Sequence, residues 1–244
     1  MRPPERVPGR DVVAAFDFDG TLTRGGSVWK FLSMLCGRDE VVSAGIVLLP
    51  KLVRAALFGG SAADEAKEAL FVRTLAGRGV DDVAGRAAAF GVAHYHHRSR
   101  TKVRARLDWH RRQGHRIVLV SASPEYYVRA VGDELGVDGV VATRLEVDGH
   151  GRLTGRFEGG NCRGARKLAG LQQWMEASSP RGPVGEGTRD GAPPAPTPYL
   201  WAYGNSAGDL EMLEAADVGV DAGRLGRLGK LRRFRRLGDI LTAW

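Results

Sequence analysis

The sequence predicts an α/β protein: a doubly wound parallel sheet with an inserted helical cap. Three observations predict it. Short apolar runs end abruptly in polar residues, helical patterns separate those runs, and one long stretch rich in Ala, Leu, Val and Arg carries helical spacing with few strand signals.

Val12-Val13-Ala14-Ala15-Phe16 is the first run and ends in carboxylates, as a buried parallel strand does. Arg116-Ile117-Val118-Leu119-Val120 ends in Ser121-Ala122-Ser123, and Ser123-Pro124-Glu125 is a helix start. Tyr199-Leu200-Trp201-Ala202-Tyr203 ends in Gly204-Asn205-Ser206, and Val218-Gly219-Val220 follows a helical stretch over Asp209–Ala216. Polar residues thus gather beyond the carboxyl ends of three strands, where open α/β sheets bind ligands. Arg144–Phe157, with Asp148-Gly149 between short alternating runs, predicts a β-hairpin.

These elements divide the chain into a core of 1–23 and 107–244 and a cap of 24–106. Met1–Arg10, basic and proline-rich without an apolar stretch, is expected to be a disordered arm and not a secretory signal. Ser178–Pro198, dense in Pro and Gly, is expected to be a disordered loop inside the core. There are no internal repeats.

With 43% hydrophobic and 26% charged residues, the 244-residue chain has the composition of a globular protein able to bury a core. Two cysteines, Cys36 and Cys162, give no disulfide framework, which predicts a reduced, cytoplasmic protein. Val41–Pro50 is about half the length that spans a bilayer and is followed by Lys51 and Arg54, so a buried or interfacial helix is expected. The net charge of +8 sits largely in the tail, which suits anionic partners and leaves peripheral membrane contact open. Its apolar residues Leu225, Leu228, Leu231, Phe234 and Leu237 recur every third position and drift around a helix, predicting a solvated basic helix. No nucleic-acid motif accompanies the charge. Oligomeric state is not legible.

Asp17-Phe18-Asp19-Gly20-Thr21-Leu22-Thr23 carries the chemistry. Two carboxylates at one strand end are costly to bury together without a cation, and a divalent metal resolves the repulsion. Ser121 offers a hydroxyl at the second strand end. A cation is available from Arg163, Arg166 or Lys167, and Gly204–Leu213 supplies Asn205 and Asp209 four residues apart.

Together, in this order, these segments resemble the four motifs of phosphatases of the haloacid dehalogenase (HAD) superfamily. The resemblance implies a Mg²⁺-dependent phosphomonoester hydrolase in which Asp17 is the nucleophile and a metal ligand. Asp19 is implied as the acid and base, with its backbone carbonyl on the metal. Ser121, with Ala122, Gly20 and Thr21, is implied to hold the phosphoryl group. Lys167 is preferred over its arginine rivals because the family uses lysine there, shielding nucleophile and phosphate. Asn205 and Asp209 complete the metal set, and the sequence departs from the pattern at Asn205, where the family has an acid. Asparagine still offers a carbonyl oxygen to Mg²⁺ with one charge fewer.

The helical insertion and the Asn-Cys-x-Gly-x-x-Lys run resemble the phosphoserine phosphatase-like hydrolases of subfamily IB. Phosphoserine phosphatases carry an acid nine residues after the nucleophile, whereas Gly26 stands there, with Ser27 and Trp29 nearby. That argues against phosphoserine. Trp29, Phe31 and Val41–Pro50 either pack the cap or favour a less polar leaving group, a phosphatidylglycerophosphate-type lipid among them. A catalytically weak, ligand-binding domain is the alternative in another class. His94, His96 and His97 lack acidic partners for a second metal and are expected on a solvated face. Arg98, Arg100, Lys102, Arg104 and Arg106 are expected on the return from cap to core, where one or two guide an anionic substrate.

Overall fold

The computed structural model describes residues 11–178, 197–223 and 233–241. Met1–Arg10, most of the 178–198 loop, and Leu225, Leu228 and Leu231 of the tail lie outside the described residues.

Strand β1 (Val12–Phe16) is buried at every position because both faces of the sheet are covered. It pairs in parallel with β2 (Arg116–Pro124) on one side and β5 (Tyr199–Gly204) on the other. Among the described residues the sheet has seven strands in the order β4-β3-β2-β1-β5-β6-β7, with β3 (Gly139–Val147), β4 (Leu153–Glu158), β6 (Val218–Asp221) and β7 (Arg235–Arg236) completing it. Successive strands run outward from β1 in opposite directions, so the strand order reverses at β1, the place where such sheets open a ligand crevice.

Alternation sorts the β1 side chains into two cores. Val12, Ala14 and Phe16 join Ile117, Leu119, Trp201, Tyr203 and the cap-side helices, while Val13 and Ala15 join Val118, Val120, Leu200 and Ala202. The second layer is closed by α8 (Ala165–Ala177) and α9 (Leu210–Ala215) through Leu171, Met212 and Leu213.

Five helices follow the first strand: α1 (Val28–Cys36), α2 (Arg38–Val47), α3 (Leu49–Phe58), α4 (Gly60–Leu75) and α5 (Val80–Arg98). The chain leaves the core at Thr23 and returns at Ser99, and an antiparallel bridge joins these two residues. The α5 helix begins with Asp81 and Asp82 and ends with His96, His97 and Arg98, charges that match its dipole. It packs along α7 (Glu125–Leu135) at Gly91, where a Cβ would fall 2.5 Å from the Tyr127 carbonyl oxygen. Helix α6 (Thr101–Arg112) runs through the expected boundary at Arg106 and lies on the sheet, so the helical layer over the core begins before residue 107.

Several expectations need correction. Strand β2 does not end at Val120; Ser121 still pairs with Ala142, and the register shifts only between Ser121 and Pro124. The expected hairpin exists, with Arg144 opposite Glu158, but its first strand begins at Gly139 and pairs in parallel with β2 before turning antiparallel to β4. In the tail, the described residues form the two-residue edge strand β7 and the short helix α10 (Leu237–Leu241), and Leu237 and Ile240 are buried in the core instead of lying on a solvated helix.

His94 is buried, stacked on Phe90, and burial depresses its pKa, so it is not part of a solvated face; His96 and His97 are exposed. Arg106 is also interior. Its Nε donates to the Tyr203 hydroxyl at 2.8 Å and its guanidinium lies 3.6 Å from the Trp109 ring, which removes it from the candidates for substrate guidance. The Val41–Pro50 run is broken at Leu48 into α2 and α3; Val41 and Ala44 pack inward while Ile46 and Val47 face solvent. Phe31 packs against Phe90 of α5 and Tyr127 of α7.

Candidate active site

The carboxyl ends of β1, β2 and β5 bring Asp17, Ser121 and Asn205 to one crevice. A cavity of about 110 Å³ there is lined by Asp17, Asp19, Ser121, Ala122, Lys167 and Asp209, with Ser123, Cys162, Arg163, Ser206 and Gly208 completing the wall.

Asp17 is fixed from the backbone outward: its N–H donates to the Tyr203 carbonyl at 2.9 Å, continuing the β1–β5 ladder one residue past the strand. The chain then turns at Gly20, whose φ of +81° suits glycine, and a Cβ there would lie 2.2 Å from the Asn205 side-chain amide. Arg100, on the return from the cap, donates to the Gly20 and Thr21 carbonyls at 2.6 and 3.2 Å and clamps this loop. Arg100, one of the five basic residues expected on the return from cap to core, is therefore a brace for the nucleophile loop.

The Asp17 carboxylate accepts from Thr21 Oγ1 at 2.8 Å on one oxygen and from Lys167 Nζ at 2.7 Å on the other. Lys167 also donates to Asp209 Oδ1. Burial works against the charge on Lys167, but Asp17 and Asp209 outweigh it and hold its pKa above the ordinary lysine value. For Asp17 the balance goes the other way: burial first, then the charge of Asp209, push it up to about 7 despite the pull of Lys167. Asp209 stays below the ordinary range, because Lys167 and the N–H groups of its own loop overcome burial. Its Oδ2 accepts from the N–H groups of Asn205 and Ser206 at 3.1 and 3.0 Å and from the Ser206 hydroxyl at 2.9 Å, in a capping box that shapes the turn over Ala207–Asp209.

Asp19 is held by one oxygen only. Ser27 and Ser123 each donate a hydroxyl to its Oδ2 at 2.7 Å, and Tyr127 backs Ser27 at 2.7 Å. Its Oδ1 is buried without a hydrogen-bond partner among the described residues. Ser27 stands at the N-cap of α1 yet makes no capping bond, because its hydroxyl is committed to Asp19. Ser121 Oγ accepts the Ser123 N–H at 3.0 Å, which folds the strand end so that Ser123 reaches Asp19.

A metal site can be tested on its donor atoms. Asn205, oriented to satisfy its neighbours, points its amide nitrogen at Asp19 O (2.9 Å), Asp17 Oδ2 (3.0 Å) and Thr21 Oγ1 (3.1 Å). A cluster of oxygen acceptors converging on one point is what a hard divalent cation requires, and here the amide supplies the positive end of a dipole to it. The residues fit Mg²⁺: Asp17, the Asp19 carbonyl and, after rotation of its amide, the Asn205 oxygen would hold it. Asp209 is turned away toward Lys167 and its own loop. Among the described residues no cluster of three His, Cys, Asp or Glu side chains offers an alternative metal centre.

The cap contributes a group that sequence reading missed. Lys67 on α4 is half-buried beside the crevice; its Nζ donates to the Ala122 carbonyl and to Asn161 Oδ1 at 2.7 Å, and Asp64, one turn earlier, accepts from Asn161 Nδ2 at 2.6 Å. Burial lowers the Lys67 pKa to about 8, against the pull of Asp19 and Asp64. This pair latches the cap to the loop before Lys167 and places a cation beside the acid.

Comparison with known proteins identifies the family. The family model for haloacid dehalogenase-like hydrolases matches residues 14–214. The chain is 32% identical over 206 residues to Protein CicA of Caulobacter vibrioides, covering 84% of this chain and 83% of that protein. The chain belongs to the haloacid dehalogenase-like hydrolases. Its fold is similar to a protein of unknown function from Bordetella pertussis Tohama I (TM-score 0.72, 20% identity, 93% of this chain and 98% of that one). It is also similar to a substrate-bound phosphoserine phosphatase (TM-score 0.60, 18% identity, 96% and 98% covered) and to a phospho-aspartyl intermediate analogue of phosphoserine phosphatase (TM-score 0.59, 18% identity, 96% and 99% covered).

Proposed function

We propose that this protein is a Mg²⁺-dependent phosphomonoester hydrolase that works through a transient phosphoaspartate on Asp17. The observation that carries this reading is the pairing of two differently held carboxylates in one crevice. Asp17 is gripped on both oxygens beside Lys167, while Asp19 keeps one oxygen free. When bound, Mg²⁺ would neutralise phosphoryl charge and the Asp17–Asp209 repulsion.

The protein's own groups account for the proton and bond changes. Asp17 attacks phosphorus, forming the aspartyl–phosphorus bond as the bond to the leaving oxygen breaks. Asp19, protonated on its free oxygen, gives that proton to the leaving oxygen; Ser27 and Ser123 keep the other oxygen turned away. In the second step Asp19 takes a proton from water, whose oxygen displaces Asp17 and releases inorganic phosphate. Lys167 and the Ser121–Ala122 strand end hold the phosphoryl group through both steps.

The substrate is a small or lipid-linked phosphomonoester chosen by the cap. Gly26 offers no carboxylate for an ammonium group, and Lys67 supplies positive charge on the cap side, which favours a leaving group without an ammonium. Phosphate release from a panel including phosphoserine and phosphatidylglycerophosphate, with and without Mg²⁺ and beside Asp17→Asn, tests the reading. Metal-dependent release lost in the variant supports it. Absence of release across the panel from folded protein would leave a phosphate-ligand-binding domain instead.

A further inference from the structure

The cap carries an apolar surface that the crevice does not use. Seven of the eleven exposed large apolar side chains among the described residues lie in α2 and α3. Helix α3 has no buried residue at all: Leu49, Val53 and Leu57 recur at every fourth position on its outer side and are 56, 49 and 73% exposed, and Phe58 is 76% exposed. Ile46 and Val47 extend this surface onto α2 across the bend at Leu48. A folded protein leaves so large a contiguous apolar patch in water only where something covers it.

Length excludes a span within either helix. Each has ten residues, the two are bent by 72° at their junction, and no described helix is long and apolar enough to cross a membrane. Charge selects among the occupants. Helix α3 carries Lys51 and Arg54 and no acid; Arg54 pairs with the exposed Glu65 of α4 at 3.2 Å, and Lys51, Arg73 and Arg156 outnumber Glu65 and Glu68 around a cavity of about 470 Å³ between α3 and α4. None of those three basic residues makes an ion pair among the described residues. The acids of α2, Asp39 and Glu40, sit at its far end, where Glu40 pairs with Arg78. A second copy docked on this face by a two-fold axis would set Lys51 and Arg54 against their own images. An anionic lipid surface meets both the apolar face and its basic flank.

We propose that the α2–α3 corner of the cap lies in the headgroup region of an anionic phospholipid bilayer, with Val53, Leu57 and Phe58 entering the acyl boundary and Lys51 and Arg54 reaching the phosphates. This inference does not depend on turnover at Asp17.

The full chain would be sedimented with vesicles of phosphatidylcholine mixed with phosphatidylglycerol, and with vesicles of phosphatidylcholine alone. Binding is expected on the anionic vesicles, to weaken in high salt, and to fall about tenfold or more in Leu57→Glu/Phe58→Glu. Lys51→Glu/Arg54→Glu should lose binding mainly at low salt. Both positions are exposed, and unchanged circular dichroism would show that the variants fold. Failure to bind anionic vesicles overturns the proposal, as does equal binding to both vesicle types. Self-association of the free protein that is lost in Leu57→Glu/Phe58→Glu would assign the face to a second copy instead.

Discussion

Replacing Asp17 with asparagine should abolish turnover and yet stabilise the metal-free protein above neutral pH. A carboxyl group whose pKa is raised from 3.8 to about 7 carries a penalty of roughly 4 kcal/mol on its ionised form in the fold. The amide keeps an oxygen for Thr21 but turns away a charged acceptor from Lys167, a loss of about 2 kcal/mol. The net expectation is a gain of about 2 kcal/mol for Asp17→Asn near pH 8. The sign follows from linkage. Between about pH 4 and pH 7 the unfolded chain has released the Asp17 proton while the fold retains it, so the wild type loses stability as pH rises through this window. The variant has no such group, so its advantage shrinks as the pH falls, vanishes at about pH 5, and becomes a deficit of about 2 kcal/mol at about pH 4. Urea denaturation in EDTA at several pH values measures this. Saturating Mg²⁺ should then stabilise the wild type and leave the variant unmoved. A variant less stable than wild type at pH 8, or an advantage independent of pH, would refute the electrostatic account of the Asp17–Lys167–Asp209 cluster.

Asn205→Asp adds a carboxylate about 3 Å from Asp17; it should lower the Mg²⁺ concentration for half-maximal thermal stabilisation about tenfold while destabilising the metal-free protein. An unchanged metal requirement would show that Asn205 is not a ligand. Lys67→Met removes the cap cation and its two acceptor contacts, and kcat/KM should fall about ten- to hundredfold, the equivalent of a charged hydrogen bond; steady-state kinetics within a factor of two of wild type would rule out a role at the site. Gly91→Ala drives a methyl group into the Tyr127 backbone, and should cost about 1–3 kcal/mol in denaturant titration. Because Tyr127 backs Ser27 and hence Asp19, its activity should fall as well.

What the sequence determined by itself is local. The apolar runs before Asp17, Ser121 and Asn205 declare buried parallel strands, because strands covered on both faces need continuous apolar residues, and the polar residue that ends each run must then emerge at the same edge of the sheet. The Asp148-Gly149 turn declared its hairpin for the same reason of short range. The tertiary structure decided everything that joins distant segments. Nothing in the helical spacing of α4 distinguishes Lys67 from a surface lysine; only docking of the cap brings it to Ala122 and Asn161. His94 and Arg106 read as solvated charges on amphipathic helices, and both are interior because α5 and α6 are covered by α7, the sheet and each other's aromatic neighbours. Ser27 fills the slot of an ordinary N-cap, and its hydroxyl is diverted to Asp19 only because α1 and α7 converge there. Local pattern fixes which residues end a strand or face a core, since that depends on period and polarity within a few residues. Which charges become buried partners depends on contacts across most of the chain, and those exist only once the cap has closed on the sheet.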